Sequence, residues 1–231
     1  MRFRTLAASV ALAAVWMAAA PGWAPLRATL VDVHGIKLAA KPGPKPTQAN
    51  CSPDGQTNGG YALTGWKVGG PTTAYLNTST VPSGLGSVTA ALQAGFDAWL
   101  EPGVPRITVA TGGTATRASA NRRYEVMWGR AGGSTLAVTY TWRWNDGTME
   151  SDTVFNKAVA WALLPSDPDG CDLSQPYYDV GNIATHEFGH TYGLDHPAGD
   201  RFETMYAYGY SGETLKRSPA NGDLAGINAV Y

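Results

Sequence analysis

Apolar positions along this chain fall into two periods, and the switches between them mark out the elements. In SGLGSVTAALQAGFDAWLEPG, Val88, Leu92, Phe96 and Trp99 recur at three- and four-residue spacing, which predicts an amphipathic helix packing one face. Ser87 is its expected N-cap, and Pro102-Gly103 ends it. Period two governs the stretches on either side. GGYALTGWKVGGPTTAYLN alternates aromatic or aliphatic residues with small polar ones, which predicts an opening strand or two. RITVA and RRYEVMWG read as strands separated by TGGTATRASAN, which has turn composition. STLAVTYTWRWNDGTMESDTVFN sets Asn145-Asp146-Gly147 between two β-rich runs, the signal of an antiparallel hairpin. In its first strand Tyr140, Trp142 and Trp144 share one face, and Thr139, Thr141 and Arg143 the other. That pattern suits hairpin packing, and also a sheet edge that pairs with an extended peptide.

The ends of the chain read differently. Arg2 and Arg4 precede an apolar run from Leu6 to Ala20 that closes on small residues, Pro21 and Gly22, a secretory signal pattern over residues 1–24 with cleavage expected between 20 and 28. The run is shorter than the roughly 20 residues that span a bilayer, so no membrane association is expected after cleavage. Residues 25–50, including KLAAKPGPKPTQAN, read as a linker or short pro-segment rather than packed structure, and His34 within them as an ordinary surface histidine. The folded domain is expected over residues 51–231, a length suited to one ordinary core. Cys51 and Cys171, in a chain exported to an oxidising compartment, are expected to form one disulfide. In the chain-entropy model a loop of that length contributes about 4 to 5 kcal/mol.

Chemistry enters with HEFGHTYGLDH. The chain has only 4 histidines, and three of them, His186, His190 and His196, lie in this stretch. On a helix His186 and His190 share a face and can reach one ion. Gly193 tolerates positive φ, so it can stop the helix and return His196 toward the same point. Three imidazoles with an open fourth position describe a catalytic zinc site rather than a structural one. Glu187 is turned about 100° from His186 around the helix. It is thereby placed to face water in the open position, where zinc brings that water's pKa to about 7 and the carboxylate can relay its proton to a leaving amine. With charged residues at 15% and a formal net charge of −1, nothing indicates a nucleic-acid surface.

At HEFGHTYGLDH the sequence resembles the metzincin metalloproteases, with their HExxHxxGxxH pattern. In ETMYAYGY, Met205 matches the methionine turn beneath the metal. Tyr206 after it, with Ala207 where astacins and serralysins carry a tyrosine ligand, looks more like the matrixins, and most like secreted bacterial members. GFDAWLE resembles the first matrixin helix, LAVTYTW the edge strand that binds substrate, ESDTVFN the strand after it, and GDLAGINAVY the closing helix. The resemblance implies an α+β zincin/metzincin fold: a twisted mixed sheet over the active-site helix, and a small C-terminal part with the methionine turn and final helix. It implies a secreted, extracellular zinc endopeptidase, expected to be monomeric, holding a protein or peptide substrate extended along Thr135 to Tyr140. Tyr206 to Tyr210 would wall the pocket for the residue after the cut. Calcium is a further ion the resemblance allows, with WNDGTMESD and SDPDGCD as oxygen-rich stretches. The second structural zinc of animal matrixins is not expected, because its three further histidines are lacking. A cysteine latency switch is not expected either, since NCSPDGQ matches its pattern poorly. Two other readings compete: a secreted zinc-binding module without turnover, and a His₃ metal oxygenase. Glu187 counts against both.

Overall fold

The alternating runs assemble into one mixed sheet, and the two long helical runs cover one of its faces. The computed structural model describes residues 25–38, 60–166, 174–198 and 201–231. In chain order the elements are β1 (Ala28–His34), β2 (Lys37–Leu38), β3 (Ala62–Leu63), β4 (Thr72–Leu76), α1 (Thr89–Asp97), β5 (Ile107–Thr111), β6 (Tyr124–Gly129), β7 (Ala137–Trp144) and β8 (Met149–Asn156). After these come β9 (Trp161–Ala162), β10 (Tyr178–Asp179), α2 (Val180–Tyr192), β11 (Leu194–Asp195), β12 (Tyr208–Gly209) and α3 (Asn221–Val230). The six-stranded sheet runs β1-β7-β8-β6-β4-β5. β4 is parallel to β5 and β6, and β6 to β8, while β7 is antiparallel to both β8 and β1. Parallel β4 and β5 need a crossover, and α1 supplies it. This is the expected α+β zincin/metzincin arrangement, with α3 closing the C-terminal part.

The helical period predicts the packing of α1. Leu92 and Phe96 are buried on it, and Trp99 just beyond it is fully buried. The Phe96 ring stacks on Phe188 of α2 with centroids 3.5 Å apart, and Trp99 Nε1 donates to the Thr185 carbonyl at 2.8 Å. Truncating either ring to alanine would cost about 3 to 5 kcal/mol. The helix start differs from expectation: Val88 occupies the N-cap with no side-chain bond, so Ser87 caps nothing.

The hairpin closes as its Asn-Asp-Gly signal predicts, with Gly147 at φ 86° and Asp146 Oδ1 accepting from the Thr148 amide at 3.0 Å. The two faces of β7 divide by chemistry. Thr139 pairs with Thr153 and Thr141 with Ser151, each at 3.0 Å, on the side of α2. Glu150 and Asp152 alternate with those partners and so face the other side. There Glu150 accepts the amides of Asn121 and Arg122, and Asp152 that of Ser119, holding down the loop before β6.

The N-terminal part of the described chain departs from expectation. Residues 28–38, read from sequence as unpacked linker, form β1 and β2, and β1 covers the outer edge of β7. The reason lies in ATLVDVHGIKL itself: Val31 and Val33 alternate with Asp32 and His34, a period-two signal masked by the proline-rich stretch that follows. Residues 1–24 and both cysteines lie outside the described residues, and with them the expected signal peptide and the Cys51–Cys171 disulfide. Among the described residues no helix is long and apolar enough to cross a membrane.

Candidate metal centre

α2 begins where Asp179, in extended conformation, accepts the Asn182 amide at 2.7 Å, so Gly181 and Asn182 form its first turn rather than preceding it. It ends at Gly193, with φ 104° in the left-handed region. A Cβ there would meet the Trp66 carbonyl oxygen, so glycine is required by conformation and by space. The chain then returns through β11, and His196 comes back over the helix.

His186 Nε2 and His190 Nε2 each lie 3.1 Å from His196 Nε2. Nitrogens about 2.0 to 2.1 Å from a tetrahedral zinc stand about 3.3 Å from one another, so this donor set fits the ion. The outer nitrogens are committed elsewhere. His186 Nδ1 bonds the Thr204 carbonyl at 2.6 Å, and His190 Nδ1 the Leu194 carbonyl at 2.9 Å. A carbonyl only accepts, so each Nδ1 carries the proton and each Nε2 keeps its lone pair for a metal. Burial, then the neighbouring histidines, holds His186 and His190 well below the usual imidazole range. Burial and then His34 bring His196 down to about 4. All three are neutral imidazoles at pH 7.

Glu187 is fully buried one step around the helix. Its Oε2 accepts from the Thr139 hydroxyl at 2.8 Å, and its Oε1 from the Ile36 amide at 3.0 Å. Burial pushes its carboxyl up to about 8, against the pull of those two bonds. A carboxyl in that range can both take and give a proton near neutrality.

Met205, expected beneath the metal, is buried. Its Sδ fills the space a Cβ on Gly189 would need, one residue before His190, so the floor is fitted to a glycine. Asp223 of α3 holds the turn by accepting the Thr204 amide at 2.6 Å and the Met205 amide at 3.1 Å. The Thr204 carbonyl that orients His186 is thus fixed by the last helix.

His34, set aside in the sequence, stands at the site. Its ring stacks on His190 with centroids 4.8 Å apart, and ligand atoms of His34, His190 and His196 lie within 4.8 Å of one another. His186 Nε2 and His190 Nε2, by contrast, both stand 3.1 Å from His196 Nε2. The two nitrogens of His34 face Asp32 and Asp195 rather than the point on which the three Nε2 atoms converge. Thr139 was also missed as a functional residue; the only sequence signal was its place on the polar face of the edge strand. The acidic groups of WNDGTMESD serve other partners. Asp146 pairs with Arg122 at 2.5 Å, and Glu150 and Asp152 hold the loop described above. SDPDGCD lies mostly outside the described residues.

A mixed sheet over a helix carrying two histidines, a glycine turn that returns a third, and a buried methionine beneath them define the metzincin class. The matrixin (Peptidase_M10) family model matches residues 127–231, from β6 to the end of α3, and supports a matrixin-like metzincin assignment. That family is one of zinc-dependent metallopeptidases. No curated protein matches the chain significantly.

Proposed function

We propose that this chain is a secreted zinc endopeptidase with His186, His190 and His196 as the metal ligands and Glu187 as the general base. The observation that carries the reading is the pairing of two Nε2 atoms, each 3.1 Å from His196 Nε2, with a buried carboxylate whose oxygens face Thr139 and a backbone amide. When bound, zinc would polarise the scissile carbonyl and acidify the attacking water. Glu187 takes the proton of that water and passes it to the departing nitrogen. Thr139 keeps the carboxylate turned toward the bond, and the Thr204 and Leu194 carbonyls keep two imidazoles in the ligating tautomer. β7, whose outer edge β1 covers in this structure, offers that edge to an extended protein or peptide substrate once β1 leaves it, and Tyr206 to Tyr210 wall the pocket beyond the cut. The enzyme acts as an extracellular monomer, without nucleic acid or a stable membrane partner.

The deciding experiment is hydrolysis of denatured casein by the zinc-loaded chain, with and without chelator, beside Glu187→Gln. We expect chelator-sensitive hydrolysis that falls by about 10² to 10⁴ in the variant while zinc stays near one per chain. A wild type that holds zinc and cleaves neither casein nor a broad peptide library would instead support a binding module.

A further inference from the structure

Residues 28–38 lie in the cleft of their own chain, and three features separate them from an ordinary core strand. First, β1 buries none of its side chains fully, and Leu30, Val31 and Val33 remain 38 to 49% exposed. It is held by its backbone ladder on β7, a mode indifferent to sequence, as substrate binding on an edge strand must be. Second, the next residues are gripped from both sides. The Leu136 amide donates to the Ile36 carbonyl at 2.8 Å, and the Leu38 amide to the Ser134 carbonyl at 2.7 Å. On the other side the Lys37 amide donates to the Ala207 carbonyl at 2.9 Å, where β2 runs parallel to β12. Third, Ile36 alone is fully buried, with its Cδ1 beside those of Leu136 and Ile183 over Gly209. A Cβ on Gly209 would come within 2.9 to 3.2 Å of all three, so that glycine leaves the pocket its depth.

The amide of Ile36 donates to Glu187 Oε1 at 3.0 Å. The carboxylate assigned above to protonate a departing amine thus already touches the nitrogen of the Gly35–Ile36 bond. Gly35 is pressed against β7 so closely that a Cβ would collide with the Ala137 carbonyl oxygen. His34 is turned aside by Asp32 and Asp195 and does not take the converging position of the three Nε2 atoms.

We infer that the chain is its own first substrate: residues 28–38 fill the cleft in the cleavable direction, and hydrolysis of Gly35–Ile36 opens it. The inference rests on the peptidase reading above. One water is consumed. Its oxygen bonds to the Gly35 carbonyl carbon and the bond to the Ile36 nitrogen breaks. One proton reaches that nitrogen through Glu187, and the second follows from the new carboxyl group, leaving a carboxylate on Gly35 and an ammonium on Ile36.

The test begins with the full chain stripped by chelator, in which amide exchange is measured without turnover. The amides of Ile36, Lys37 and Leu38 should be protected, and the Ile36→Asp variant should lose that protection. Zinc is then added, and intact mass with N-terminal sequencing should show a new terminus at Ile36, formed at a rate independent of protein concentration. In Ile36→Asp, and in Gly35→Val, scission at this bond should fall at least about a hundredfold, since the pocket rejects a charge and the strand rejects a side chain. Ile36→Asp should also hydrolyse casein without the lag shown by wild type. Casein hydrolysis by wild type with the bond intact, or scission of wild type at another bond, overturns this inference and leaves the peptidase reading standing. The same holds if wild type is inert and only Ile36→Asp cleaves casein, for the segment then blocks without being cut. If no variant cleaves anything while the amides stay protected, both readings fall.

Discussion

The two ends of α2 bury similar numbers of polar side chains and use them in opposite ways. At the start, Asp179 accepts from the Asn182 and Leu164 amides and from Arg217 Nε and Nη2, at 2.7 to 3.0 Å. Asn182 accepts the Lys216 amide at 2.7 Å and donates to Glu213 at 3.3 Å. Lys216 Nζ, fully buried, donates to the Glu203 carbonyl at 3.2 Å. Each of these groups closes on another, and together they join α2 to the turn at residues 215–217. At the far end His186 and His190 bond outward through Nδ1, and their Nε2 lone pairs point to His196 Nε2, each at 3.1 Å. Polar groups that satisfy one another make a joint; polar groups whose spare valences converge make a site.

The difference can be broken from either end. Asp179→Ala removes a cap and leaves a part-buried Arg217 without its carboxylate, its guanidinium bonded only to the Leu164 carbonyl, so unfolding in chelator should lose about 3 kcal/mol. Zinc per folded molecule should not change. A loss under 1 kcal/mol by denaturant titration would mean that the joint is ornamental. His196→Ala should show the reverse, because its ring lies on the return loop. Zinc affinity should drop by more than about a hundredfold, beyond the effect of losing a partner of a ligand, while chelator-treated stability moves by less than about 1 kcal/mol. Competition with a chromogenic chelator reads the first quantity. Thr139→Val removes the hydroxyl that orients Glu187, along with its bond to Thr153. There kcat should fall about tenfold, the equivalent of one hydrogen bond, with KM and zinc content unchanged. A change confined to KM would place Thr139 in substrate binding instead.

The smallest expected effect lies on the far face of the sheet. Burial pushes the Asp152 carboxyl up to about 8, against the amides of Ser119 and Glu125. An unfolded aspartate titrates near 4. Between these values the folded chain keeps a proton the unfolded chain has lost, so this group's stabilisation is complete at low pH and is lost as pH rises through about 8. Asp152→Asn should flatten the fall in Tm from pH 5 to pH 8. Comparison with wild type in chelator isolates the effect from the buried histidines, whose lowered pKa values act with the opposite sign. Equal slopes in both proteins would assign the pH dependence elsewhere.

Much of this protein was legible without coordinates. A glycine that must turn left-handed, histidines four apart on a helix and an Asn-Asp-Gly hairpin are local constraints, each satisfied within a few residues of chain. The helix period around Phe96 and the alternation around Tyr140 likewise report which face is buried, because a side chain's direction follows from its own backbone. Tertiary structure decided the rest. Thr139 reaches Glu187 only because β7 crosses the helix at that point. Asp223, near the end of the chain, fixes the carbonyl that orients His186 through a turn that it holds. Residues 28–38, which read as linker, lie against the metal centre because the edge of β7 and the Gly209 pocket offer backbone partners and one apolar hole. These contacts join residues 19, 48 and 151 positions apart, for Asp223 with Thr204, Thr139 with Glu187 and Ile36 with Glu187. No periodicity along the chain encodes them, since what selects them is the shape and unmet hydrogen bonding of a surface that exists only after folding.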